Sequence, residues 1–317
     1  MDCHALLTWL EEAGLYKEVP PLETKARRCR KGFATPLALP APDRGLVVAV
    51  PEAFFFAPVE AITDAGRTCA HDVPLLTAVP ECGVRFFRPL PGRPPWRPPP
   101  AVLRSLWVVS PGWNQGPRFA AYREVYEAQA EPGTWFAEAD KADLLDELAK
   151  GVEGLFLIGH GDEAGRGFWL RGSVPVRFSE LAEALMGGGA PLRFLYAFLC
   201  DSAEALYEDL LLPLARAGRL DRDFGAVLFL GSPLHDFGPL FLKALLRELG
   251  EVATQRDPAP FLYALARARA ALYREAGLEE AARPIAFAHR AQAHPWPPAE
   301  ERRYLAALAR MLGQDGG

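Results

Sequence analysis

Leu155-Phe156-Leu157-Ile158-Gly159-His160-Gly161-Asp162 is an apolar run that stops abruptly on glycine, an imidazole and an acid. Further along, residues 192–199 form a second, mostly apolar run that stops on Cys200-Asp201-Ser202-Ala203. Short apolar runs bounded by small or polar residues read as buried strands that deliver their carboxyl ends to a surface. In an open α/β sheet, ligands and reacting groups collect outside those ends. One strand ending in His160 and another in Cys200 therefore set up a base and a nucleophile.

Outward from these runs, strand and helix patterns alternate. The spacing predicts a strand over 103–109, a helix over 119–129, a strand over 134–137 and a helix over 141–150 with Leu144, Leu145 and Leu148 inward. After the histidine, 178–186 reads as a helix closed by Gly187-Gly188-Gly189, and after the cysteine 205–216 reads as another. A fifth strand over 226–230 ends in Gly231-Ser232-Pro233, and a helix over 237–249 is expected to stop at Gly250. A helix over 261–273, a strand over 284–288 and an outer amphipathic helix over 298–312 complete the pattern. Such alternation predicts the α/β class, with a mostly parallel sheet covered on both faces.

The first 100 residues have another texture. A short amphipathic helix is expected over 4–16, a solvated basic loop over 25–31 and a buried strand over 46–50, followed by Phe54-Phe55-Phe56. The pattern is then irregular up to Phe86-Phe87. Residues 89–100, PLPGRPPWRPPP, exclude helix and central strand, because proline fixes φ and lacks a backbone donor. This stiff run divides a smaller α+β region, 1–100, from a larger unit, 101–317.

A chain of 317 residues, 50% of them hydrophobic, can bury a large core. Its net charge of −5 gives no support to a general grip on nucleic acid. No apolar run reaches the roughly 18–20 residues that span a bilayer. The N-terminus lacks the basic and apolar pattern of a secretory signal. The five cysteines (Cys3, Cys29, Cys69, Cys82 and Cys200) show no CxxC and no metal-like spacing. Their odd number points to free thiols in a reducing cytoplasm. GxSxG, P-loop and Rossmann glycine fingerprints do not occur.

Cysteine attacks as its thiolate, and a neighbouring imidazole can take the thiol proton and later return one to a leaving amine. Gly161 lets backbone pass close to a substrate, and its amide would form half of an oxyanion hole. The Cys200 amide, at a strand-to-helix turn, would form the other half. Ser202 and Ala203 are small enough to leave room above the thiol. Asp162 either binds substrate or caps a turn. His71, His235, His289 and His294 read as ordinary core or surface histidines, with an orienting role near the site as the alternative for His235-Asp236.

FLIGHGD (156–162) and FLYAFLCDSAEAL (194–206) resemble the His and Cys motifs of caspase-like cysteine peptidases, closest to the bacterial CHAT group related to separases. The following AVLFLGSPLHDFGPLFLKALLRELG and ALARARAALYREAG are similar to that group's next block. The likeness covers 103–288. It implies a three-layer α/β/α caspase-like domain and a Cys–His dyad that hydrolyses peptide bonds without metal or cofactor. By motif position, His160 takes the base role, Cys200 the nucleophile role, and Gly161 contributes an oxyanion amide. Phe198 and the loop 232–236, with Ser232 and Asp236, would wall the pocket for the residue before the cut, with Leu234, Asp201 and Ser202 near it. One departure stands out: Ala203 replaces the glycine usual in the Cys-x-Ser/Thr-Gly pattern.

Two functions follow. The first is a cytoplasmic cysteine endopeptidase, acting on a protein or peptide and gated by its N-terminal region or by a protein partner in a bacterial defence or signalling module. The second is a catalytically silent caspase-like scaffold for protein–protein interaction. Neither reading calls for direct nucleic-acid or membrane contact.

Overall fold

The computed structural model describes residues 47–49, 63–64, 67–68, 85–89, 104–110, 117–129, 132–137, 140–162, 164–170, 175–229, 231–254, 260–281, 283–288 and 293–295. The elements begin with Val47–Ala49 (β1), Thr63–Asp64 (β2), Arg67–Thr68 (β3), Arg85–Pro89 (β4), Ser105–Val109 (β5), Pro117–Glu127 (α1), Thr134–Ala137 (β6) and Lys141–Ala149 (α2). Gly154–Ile158 (β7), Gly167–Trp169 (β8), Pro175–Arg177 (β9), Phe178–Gly187 (α3), Leu192–Phe198 (β10) and a composite helix over 203–216 (α4) follow. Leu220–Phe229 (β11), Phe237–Thr254 (α5), Pro260–Ala281 (α6), Pro284–Ala288 (β12) and Ala293–Pro295 (β13) complete the order.

Six strands form one sheet in the order β12-β11-β10-β7-β5-β6. Five are parallel, and β12 joins antiparallel at the edge of β11. The chain steps outward from β5 to β6, then returns to the far side of β5 as β7. Right-handed crossovers on that route require α1 on one face and α2, α3 and α4 on the other. The packing agrees. Tyr122 and Val125 of α1 share a cluster with Phe241 and Leu245 of α5 and Phe261 of α6. Leu144 of α2, Leu181 of α3 and Leu210 of α4 pack on the opposite face. The architecture is therefore α/β in three layers.

Side-chain alternation gives the two faces different chemistry. Phe156, Phe194, Tyr196, Phe198 and Phe229 point towards α1, α5 and α6, whereas Leu155, Leu157, Leu195, Leu199 and Leu228 point the other way. On the aromatic face Trp107 lies flat on Phe156, centroids 3.8 Å apart, and Phe198 meets Phe229 edge-on at 4.8 Å. Such pairs add about 0.5–1.5 kcal/mol each beyond area burial.

Several elements differ from the sequence reading. β8 and β9 pair as a hairpin after the histidine, where no strand was expected. Leu206–Leu211 forms a wider π turn within α4. Pro213 explains the break in regularity, since it offers no N–H to the carbonyl one turn earlier and its ring crowds that carbonyl. β11 starts earlier than expected, at the polar Leu220-Asp221-Arg222-Asp223 segment that apolar patterning misses. Gly250 does not stop α5, which runs on to Thr254. Burial of Leu245, Glu248 and Leu249 outweighs the glycine penalty. A Cβ at Gly250 would meet nothing within 4 Å. Gly250→Ala is accordingly expected to stabilise the protein by about 0.5–1 kcal/mol in denaturant unfolding.

The expected strand over 46–50 is present as β1, which pairs with β4. The other edge of β4 takes β13, so this small sheet draws strands from both sides of the proline-rich run. The expected helices over 4–16 and 298–312, the basic loop 25–31 and the run beyond Pro89 lie outside the described residues.

Candidate active site

Parallel pairing places Ile158 of β7 opposite Phe198 of β10. His160 and Cys200 each follow two residues later, so they leave neighbouring strands at equivalent positions. The Gly159 amide donates to the Phe198 carbonyl at 3.1 Å and carries the pairing to the rim. His160 is exposed, and the free thiol of Cys200 is half-buried.

Two glycines let the histidine loop lie on the cysteine turn. A Cβ on Gly161 would stand 2.6 Å from the Cys200 carbonyl oxygen, and one on Gly165 (φ +65°) 2.8 Å from that of Asp201. Gly161 also faces Phe168 across an antiparallel bridge. There the Trp169 amide donates to the His160 carbonyl at 3.2 Å, and the Asp162 amide to the Gly167 carbonyl at 2.9 Å. In that pattern the flanking groups face the partner strand, so the Gly161 N–H points away from β8. Among the described residues no carbonyl accepts from the Gly161 or Cys200 amide.

The thiol is not primed on its own. Burial pushes its pKa up, a hydrogen bond with Ser232 pulls down, the Asp201 charge pushes up and the Arg283 charge pulls down; the net direction is upward. Less thiolate is then present at neutral pH than for a free cysteine, so reaction needs a base. Alkylation of Cys200, followed on its peptide by mass spectrometry, is expected to show a pH midpoint above the ordinary thiol value of about 8.5. A midpoint at or below that value would contradict the burial argument.

The other expected residues divide into surface and support. Asp201, Ser232 and Asp236 are exposed at the rim. Asp201 has φ +50°, a conformation that Asp tolerates better than most residues. Its amide donates to the Gly231 carbonyl at 2.9 Å, and its Oδ2 accepts from the Ser232 hydroxyl at 2.9 Å. The positive φ thus falls on Asp201 and not on Ala203, which begins α4 and is buried. Alanine at 203 consequently carries no backbone penalty.

Phe198 and Ser202 correct the sequence reading. Phe198 is 1% exposed and belongs to the aromatic layer beneath the site, so it is floor and not pocket wall. Ser202 is fully buried, its hydroxyl donating to the Leu199 carbonyl at 3.2 Å. Asp162 organises its loop: Oδ1 accepts from the Arg166 and Gly167 amides at 2.8 and 3.1 Å, and Oδ2 from Arg177 at 2.6 Å. Of the two roles open to Asp162, its contacts are those of a turn cap. Asp162→Ala is expected to cost about 2–3 kcal/mol, measured by denaturant unfolding, because buried amides lose a charged acceptor.

His235 also reaches the site. Its ring stands 5.8 Å from that of His160, edge to face, and 6.2 Å from Phe198. Sequence reasoning missed Glu280 and Arg283 altogether. Glu280 accepts from the Leu234 amide at 3.0 Å and pairs with Arg283, and the helix that carries Glu280 runs to Ala281, where the sequence reading ended it at residue 273. No motif marks them.

The chain matches no protein-family model and no curated protein. Among the described residues no group of three or more His, Cys, Asp or Glu side chains is placed to hold a metal ion. No helix among them is long and apolar enough to cross a membrane.

Proposed function

We propose that the protein is a cysteine endopeptidase of the caspase-like, CHAT type. The observation that carries this reading is the equivalent placement of His160 and Cys200 on adjoining parallel strands, one exposed and the other half-buried. His160 takes the thiol proton, and the sulfur attacks the carbonyl carbon of a peptide bond. Negative charge on the carbonyl oxygen develops towards the Gly161 and Cys200 amides. His160 returns the proton to the leaving amine, which departs as a new N-terminus and leaves a thioester on Cys200. Water, deprotonated by the same imidazole, then hydrolyses the thioester and restores the thiol.

The raised thiol pKa fits a sulfur that depends on His160 to lose its proton. Residues 1–100 or a protein partner in a bacterial defence or signalling module would supply the gate, in the cytoplasm. The test is peptide-library cleavage by the native chain, Cys200→Ala and His160→Ala. Cleavage by the native chain alone is expected. Equal behaviour of all three would leave a silent scaffold for protein–protein contact.

A further inference from the structure

Glu280 and Arg283 are buried charged side chains outside the dyad, and their one part in the chemistry above is the Arg283 charge that draws the thiol pKa down. Arg283 Nε and Glu280 Oε1 pair at 2.6 Å, with the side chains 8% and 6% exposed. Burying two ions is expensive, and apolar residues in their place are often as stable or more so. The pair has a second contact that bears on the site. Glu280 Oε2 accepts from the backbone amide of Leu234 at 3.0 Å, across 46 residues of sequence.

Leu234 lies in the loop 231–236, which reaches the residue after Cys200 and the ring of His160. On one side the Ser232 hydroxyl donates to Asp201 Oδ2, and the Gly231 carbonyl accepts from the Asp201 amide. On the other, the His235 ring meets that of His160. Between these contacts, Leu234 exposes 54% of its surface. Its backbone, and not its side chain, ties the loop to α6.

We propose that Glu280, held by Arg283, is a positioning residue: through the Leu234 amide it fixes the loop 231–236, and with it the placement of Cys200 against His160. The inference rests on the peptidase reading for what that placement serves, but its test does not. Two double variants remove both charges, so that neither leaves an unpaired buried ion. Glu280→Leu with Arg283→Met also removes the acceptor for Leu234. Glu280→Gln with Arg283→Met keeps an oxygen there.

The readouts are iodoacetamide alkylation of Cys200, followed on its peptide, and peptide cleavage. The Leu/Met chain is expected to alkylate about tenfold faster, because a released loop uncovers the thiol. Its cleavage should fall about tenfold or more as the dyad loses alignment. The Gln/Met chain should stay within about threefold of native in alkylation, since the hydrogen bond survives. Identical alkylation by the two variants would overturn the proposal. In the native chain, hydrogen exchange at the Leu234 amide provides a check that needs no variant. Strong protection supports the anchor, and exchange at the rate of a free loop overturns it. If no chain cleaves any peptide, the peptidase reading falls while the alkylation contrast still decides the anchor.

Discussion

Peptide cleavage by Cys200→Ala and by His160→Ala is expected to fall at least about 10³-fold below that of the native chain. Without the sulfur no thioester forms, and without the imidazole nothing lifts a proton from a thiol whose pKa burial already raises. Because the two residues act as a unit, the double variant should be little worse than either single one. Neither change should unfold the protein, since His160 is exposed and Cys200 half-buried at the rim of the sheet. The comparison consists of cleavage rates alongside thermal unfolding of each chain. Additive losses, or retained cleavage in either single variant, would remove the dyad from the mechanism.

Gly161→Ala should reduce cleavage about 10²-fold with little change in substrate affinity. The new Cβ would stand 2.6 Å from the Cys200 carbonyl oxygen, which is backbone and cannot swing aside as a side-chain end would. Either the histidine loop or the cysteine turn must shift. A shift of even part of an ångström moves the Gly161 amide away from the place where negative charge develops. Gly187→Ala and Gly189→Ala are the controls, because a Cβ at either meets nothing within 4 Å. Steady-state kinetics decide the case: a change confined to KM would mean that Gly161 shapes binding and not the transition state.

Much of this layout was legible in the sequence. β6 and β12 occupy the expected residues, one preceded by Pro132-Gly133 and the other begun by Pro284, both strong local punctuation. His160 and Cys200 stood out because the apolar runs before them end so sharply. The misreadings of Phe198 and Ser202 share one cause, that nearness in sequence to a reactive residue does not set the side chain's direction. Phe198 is two residues before Cys200 on a strand whose alternate side chains, Phe194 and Tyr196, already point into the aromatic layer. Ser202 is small and next but one to Cys200, yet the turn directs its hydroxyl back to the Leu199 carbonyl. Glu280 was invisible for a different reason. Its bond to the Leu234 amide spans two helices, and neither periodicity nor spacing records a contact between a side chain and a distant backbone group.

The small sheet β1-β4-β13 carries a consequence for how the molecule is made. β4 precedes the six-stranded sheet in the chain, and its partner β13 follows it. A ribosome therefore releases one half of that ladder early and the other only after every layer of the α/β unit has been synthesised. Closing so large a loop is entropically slow unless the intervening chain is already compact. The outer ladder is thus expected to be completed last, as a clasp shut over a finished body.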